Sequence, residues 1–240
     1  MLAGLFCHFL PLHCLPARSA LTPMNVTIDI VSDLVCPWCF IGKHRLAKAV
    51  ALVEASHPET RFQFNWLPYF LNPNTPPEGE PYRAFLEAKF GGKAAVDKLH
   101  SDVVVAGREA GVEFDFARIV TRPNTLRAHR LVYRAQSIGH RPATIEALVD
   151  GLFVAHFQRG EDVGDVATLA RIAATCGDIE KDVADYLAST EGEKPVRSLA
   201  DKVTALGVSG VPFFIIQRRL SVSGAQSGEV LAAAIVEAMQ

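Results

Sequence analysis

The chain has 240 residues, 49% of them hydrophobic and 21% charged. That is ordinary globular usage; it allows one large domain or two small ones and excludes a disordered, collagen-like or low-complexity chain. Twenty-four basic against 26 acidic residues leave a net charge of −2, with no basic excess for a nucleic-acid partner. Five cysteines are too few for a disulfide-stapled scaffold, and no apolar run has the length and flanks of a membrane span.

Residues 1–24 are read as an N-terminal extension apart from the fold. The segment is apolar, but Pro11, Pro16, His8 and His13 interrupt it. Ala17 and Ala20 resemble a cleavage site, whereas the basic start of a secretory signal is missing. Three readings stand: a signal, a floppy tail, or an over-long reading frame whose true start is Met24. All three keep the segment, with Cys7 and Cys14, out of the core. Cys36, Cys39 and Cys176 remain in the body of the protein.

Asn25–Val31 alternates and is rich in β-branched residues, which predicts a strand. A short turn leads to Cys36-Pro37-Trp38-Cys39. The following residues carry Ile41, Leu46, Val50 and Val53 at helical spacing. Pro37 suits the first turn of that helix, where no N–H is needed. Arg61–Leu67 alternates again and predicts a second strand. Pro68 to Pro81 is a loop dense in Pro, Asn and Gly. From Pro81 to about Ala205 the pattern is helical, broken by glycines and prolines into about six short helices. Pro212–Gln217 predicts a strand, Arg218-Arg219 a turn, Leu220–Ser223 a return strand, and Ser227–Met239 a closing helix.

The two strand-bearing ends are each too small to fold alone. The expected fold class is therefore α/β: one mixed sheet built from residues 25–79 and 206–240, with residues 80–205 inserted as an all-helical subdomain.

The Cys-Pro-Trp-Cys motif follows a strand and opens a helix. A thiolate there faces unpaired backbone N–H groups and the positive end of the helix dipole, and both stabilise the anion. Cys36, at the very start, feels this most; Cys39, one turn in, is placed to resolve a mixed disulfide. A CxxC pair alone also fits half a zinc site or a structural disulfide. Zinc needs two more ligands at close spacing, and the sequence offers no second CxxC and no HxxxH. Ser209-Gly210-Val211-Pro212-Phe213-Phe214 places a proline at the first residue of a strand, where no ladder N–H is required.

The strand, the CPWC-headed helix, the helical insertion and the late Gly-Val-Pro strand together resemble the DsbA-like branch of the thioredoxin superfamily. More narrowly, DLVCPWCFIG, RPNTLRAHRL (Arg122–Leu131) and GVPFFII with SVSGAQ resemble the FrnE-like group of thiol–disulfide oxidoreductases, some of them linked to polyketide biosynthesis. That group is similar in fold to 2-hydroxychromene-2-carboxylate isomerase and kappa-class glutathione transferase. The resemblance spans about residues 25–240 and not residues 1–23, which favours Met24 as the start. It implies a thioredoxin-like sheet, Cys36 and Cys39 as the redox pair, and Val211–Pro212 as a cis peptide facing them. It also implies that this strand start docks an extended substrate by backbone pairing. The isomerase and transferase relatives carry serine near the first cysteine, so two cysteines here favour redox chemistry.

Other residues admit two readings each. Asp29 and Asp33 are proton relays to Cys39 or a strand residue and a turn residue. Trp38 offers its ring to a substrate or is surface packing. Asn124 and Thr125 are cleft residues or helix caps. His129 faces the cleft or is a core histidine. Gln226 is a polar lining residue after a Gly224 turn. Cys176 reads as a buried small hydrophobe within a helix, and Lys43, His44 and Arg45 as a solvated basic face.

The expected function is disulfide exchange with a protein or small-thiol substrate through Cys36 and Cys39, with substrate contacts from Trp38, Val211, Pro212, Asn124, His129 and Gln226. The alternatives are a glutathione-dependent isomerase or transferase on a small aromatic substrate, and a chaperone-like binding module with silent cysteines. The expected chemistry needs no metal and no organic cofactor. Expected partners are thiol- or disulfide-bearing proteins or glutathione, with no nucleic acid, no membrane span, and a monomer or homodimer. The expected compartment is the cytoplasm, or the periplasm if residues 1–23 act as a signal.

Overall fold

A computed structural model describes residues 24–240. The readings of residues 1–23, with Cys7 and Cys14, lie outside the described residues. In chain order the elements are β1 (Met24–Ser32), α1 (Pro37–Ser56), β2 (Thr60–Pro68), β3 (Glu80–Pro81), α2 (Tyr82–Phe90) and α3 (Lys93–Glu109). Then follow a 3-10 turn (Phe116–Arg118), β4 (Thr121–Arg122), α4 (Leu126–Ser137), α5 (Pro142–Phe157), α6 (Val166–Thr175), α7 (Glu180–Ala188) and α8 (Glu193–Ala205). β5 (Phe213–Ile216), β6 (Leu220–Ser223) and α9 (Gly228–Ala238) close the chain.

The main sheet runs β2-β1-β5-β6. β1 pairs parallel with β2 and antiparallel with β5, with Val31 opposite Phe213. Side-chain alternation sorts the sheet into two faces. Val26, Ile28, Ile30, Phe214 and Ile216 join the large core, which includes Leu46, Ala49 and Val53 of α1 and Leu231 and Ile235 of α9. Val31 points the other way, into a small cluster with Val203 of α8 and Val208, against which Phe213 and Ile215 pack. Each fully buried Ile or Phe contributes about 1.5–3 kcal/mol. The sheet is the expected mixed sheet, drawn from both ends of the chain.

The helices between β2 and β5 differ in detail from the sequence expectation. Seven α-helices stand where about six were expected, and a two-stranded sheet of β3 and β4 sits among them. Buried Arg130 of α4 closes the end of α7. Its Nε donates to Glu191 O, Nη1 to Leu187 O, and Nη2 to Tyr186 O and Ser189 O. Those carbonyls have no helical partner, so the guanidinium satisfies them and meets the negative end of the α7 dipole.

Two expectations need correction. Lys43 and Arg45 are not a solvated face: Lys43 bonds Asp150 of α5 at 2.8 Å, and Arg45 donates to Ala225 O. Both face inward because α1 lies between α5 and the loop before α9. Cys176 is half-buried and caps the C-terminus of α6 rather than lying buried within a helix. Asp29 takes the plain strand reading, accepting a 2.7 Å bond from Asn65 Nδ2 across the β1–β2 pair. Among the described residues no helix is long and apolar enough to cross a membrane.

His156 of α5 is fully enclosed, and neither ring nitrogen has a hydrogen-bond partner among the described residues. Phe157 and Tyr82 meet its ring edge-on. Burial holds its pKa down at about 4, below the usual 6.5 of a free imidazole. The native state therefore binds fewer protons than the unfolded chain between these values. Stability is full above pH 6.5 and falls as pH drops toward 4. From pH 7 to 5 the loss from this group is about 2 kcal/mol. His156→Leu, which removes the titrating ring and keeps an apolar side chain, is expected to flatten that part of the pH dependence in urea unfolding.

Candidate active site

β1 ends beside the start of β5, so the loop after β1 meets the loop before β5. Cys36 closes the first loop as the N-cap of α1, with Pro37 in the first helical turn. Its carbonyl accepts from Cys39 N at 3.0 Å, and its own N–H donates to Asp33 O at 3.0 Å. No side-chain cap bond forms; the Cys36 Sγ instead lies 3.7 Å from Val211 O. Val211–Pro212 is a cis peptide. Both Cys36 and Cys39 are free thiols. Both are buried, Cys36 at 4% and Cys39 at 2% exposure, but Cys36 lines a cavity and Cys39 does not.

Burial pushes the Cys39 thiol well above its ordinary range, and neighbouring Cys36 adds to this. Ser32 and the Asp33 backbone oppose it. The two thiols are thus unequal: one at the cavity and the helix start, one desolvated behind it.

Trp38 is 39% exposed and lines the same cavity, together with Val211 and Gly210. β5 is an inner strand, and the Pro212 carbonyl is already taken by Gly224 N at 2.9 Å. The ladder therefore begins after Val211, whose carbonyl faces the Cys36 sulfur.

Asn124 and Gln226 are not brought to the thiols. Asn124 donates to Thr75 O and accepts from Leu126 N, a capping and loop-tying role, beside a separate polar hollow. Gln226 is exposed and bonds back to Ser223 O after Gly224, whose φ of +79° makes the tight turn. His129 is a buried histidine: its Nε2 lies 3.2 Å from Tyr69 O and 3.4 Å from Asp33 Oδ1.

Sequence reasoning gave Asp33 only as a proton relay or a turn residue, and it missed Arg122, Tyr82 and His100 as cavity residues. Asp33 supplies the turn that caps Cys36, yet its carboxylate is 1% exposed and accepts Leu71 N at 2.9 Å. Arg122, 4% exposed, reaches the cavity from β4. Tyr82 and His100, bonded at 3.0 Å, line the cavity from α2 and α3. Arg122 had one local signal: it precedes Pro123, which favours the extended backbone that β4 adopts.

Gly42 of α1 fixes how closely that helix approaches the proline loop. A Cβ there would lie 2.8 Å from Pro212 Cγ and 3.3 Å from the Phe214 ring. Gly42→Ala is expected to cost about 1–3 kcal/mol by overpacking, read by denaturant unfolding, because a ring and a core strand must give way.

Among solved structures, the chain is similar to the probable DsbA oxidoreductase SCO1869 from Streptomyces coelicolor, at 28% identity and a TM-score of 0.77, covering 89% of each chain. The fold is shared with 2-hydroxychromene-2-carboxylate isomerase, at 16% identity and a TM-score of 0.64, over 88% of this chain and 95% of that one. It is shared too with the cytosolic disulfide reductase DsbM from Pseudomonas aeruginosa, solved with glutathione, at 16% identity and 0.59, over 89% and 95%. A family model of the DSBA-like thioredoxin domain matches residues 27–236, which takes in the sheet from Thr27 onward, the Cys36–Cys39 helix and the proline loop; the chain belongs to that family.

Proposed function

We propose that the protein is a thiol–disulfide oxidoreductase that exchanges disulfides with a thiol- or disulfide-bearing substrate through Cys36 and Cys39. The observation that carries this reading is the inequality of the two thiols. Cys36 lines a cavity at a helix N-terminus, 3.7 Å from the Val211 carbonyl, and Cys39 lies buried one turn on. Cys36 thiolate attacks one sulfur of a substrate disulfide, forms a mixed disulfide and releases the first substrate thiolate. Cys39 then loses its proton and attacks the Cys36 sulfur. The Cys36–Cys39 disulfide forms and the second thiolate leaves. Two electrons pass from protein to substrate, and two protons end on the released thiols; run backwards, the same steps donate a disulfide. Trp38, Val211 and Pro212 border the site of attack. His129 stands behind it beside Asp33, as a positioning residue.

In this reading residues 25–79 and 206–240 carry the redox centre, and the inserted residues 80–205 wall the substrate cavity. Its compartment is the cytoplasm, where CxxC pairs are catalytic rather than structural. The glutathione-dependent isomerase reading has shared fold alone behind it, with cysteine at both positions against it.

Cys39→Ser is expected to leave the mixed disulfide unresolved, so that a covalent adduct on Cys36 accumulates by mass spectrometry. Cys36→Ser is expected to drop exchange to the uncatalysed background. A Cys39→Ser protein that turns over as fast as the parent contradicts the reading.

Burial, the main cause of the raised Cys39 pKa, persists in the mixed disulfide. Resolution depends on the Cys39 thiolate, whose fraction grows tenfold per pH unit below its pKa. The rate at which a preformed mixed disulfide resolves is therefore expected to climb roughly tenfold per unit from pH 7 to 9. Rapid-quench measurement across that range checks the slope.

A further inference from the structure

The cavity at Cys36 encloses about 330 Å³, at the lower end of the range that takes a small organic molecule. Its walls are apolar and aromatic, with Phe85, Leu86 and Phe116 prominent, and its cations are Lys89 and Arg122, while burial holds the His100 pKa below that of a free imidazole. Lys89, His100 and Arg122 line it, and no Asp or Glu does so among the described residues.

Arg122 is the polar feature that apolar packing does not explain. Its Nε and Nη2 bond Glu80 Oε1 at 3.0 and 2.6 Å, and Nη2 also meets Thr75 Oγ1. This fixes one edge of the planar fork, and the Phe85 ring supports its face at 3.7 Å. The remaining nitrogen, Nη1, has no hydrogen-bond partner among the described residues and is not fully buried. A buried, held guanidinium whose Nη1 remains free can donate a charge-assisted hydrogen bond to a carboxylate or similar anion. Lys89, tied to Asn72 at 3.1 Å, adds a second cation at the rim.

Resting on the redox reading above, we infer that the substrate is a small apolar or aromatic thiol or disulfide bearing an acidic group, anchored by Arg122 with its sulfur at Cys36. Glutathione fits less well, because its ammonium group finds no carboxylate in the lining. The reaction is the two-electron exchange already given: the substrate disulfide is reduced to two thiols as Cys36 and Cys39 become a disulfide.

The test mixes reduced protein with dithiobis(nitrobenzoic acid), an acidic aryl disulfide, or with dithiodipyridine, an uncharged one. Single-turnover formation of the Cys36–Cys39 disulfide is followed by acid quench and peptide mapping. The ratio of acidic to neutral rate is expected to fall about tenfold in Arg122→Gln, the loss of one charge-assisted hydrogen bond. The ratio cancels the intrinsic reactivity of each reagent and any general damage to the site. Lys89→Gln, on the exposed rim, carries the same test should Arg122→Gln fail to fold. A fall in the ratio short of about threefold overturns the assignment of the anionic site, the size being set against the same charge-assisted bond. Relative to the rates of dithiothreitol, the protein is also expected to favour the aryl acid over glutathione disulfide; a preference for glutathione disulfide overturns the apolar part. If neither aryl reagent produces the Cys36–Cys39 disulfide, the redox reading itself fails, an outcome distinct from both.

Discussion

The pairing of β1 with β5 is the constraint on which the site depends. Val31 sits opposite Phe213, so two loops about 180 residues apart in the chain end side by side. Closing so long a loop costs about 5 kcal/mol in chain entropy. Burial of Ile28, Ile30, Phe214 and Ile216 at the same pairing contributes about 1.5–3 kcal/mol each, so the hydrophobic term exceeds the closure cost. Cys36 and Val211 come within 3.7 Å as a consequence of that register. A slip of one residue would turn Ile28 and Ile30 to the wrong face and separate the thiol from the proline loop.

The same register explains why the two thiols differ. Pro37 starts α1 immediately after Cys36, which puts that sulfur at the helix end and at the surface of a cavity. One turn later the helix has entered the core, and Cys39 packs with the buried strand residues. A single helix geometry thus puts one sulfur at a cavity wall and the other in the core behind it, at 4% and 2% exposure. The helices inserted between β2 and β5 then act on the site from outside. They contribute an apolar wall and, through His129, a polar contact to the carboxylate of Asp33, while β4 among them carries the buried Arg122.

Much of the frame was legible in the sequence because it is local. The alternation in β1 and β2, the proline at the start of α1, and Ser227 as N-cap of α9 are set by near neighbours. What was not legible depends on partners far along the chain. β3 and β4 have two residues each, too short for any periodicity, and exist because Glu80 meets Arg122. Lys43 and Arg45 read as surface residues until Asp150 and Ala225 are brought to them. Asp33 looks like an ordinary turn residue, and only the packing of His129 and Leu71 around it reveals a buried carboxylate. Asn124 and Gln226, placed at the site by resemblance, bond to their own surroundings instead.

In the proposed mechanism Cys36 and Cys39 form a reversible redox pair. Equilibrating the protein against graded glutathione redox buffers, and mapping the Cys36–Cys39 disulfide at each ratio, tests it most directly. The expected result is one two-electron transition with a midpoint between about −270 and −120 mV, the range of known CxxC exchange proteins. Failure of any reversible disulfide to form between these two residues would contradict it.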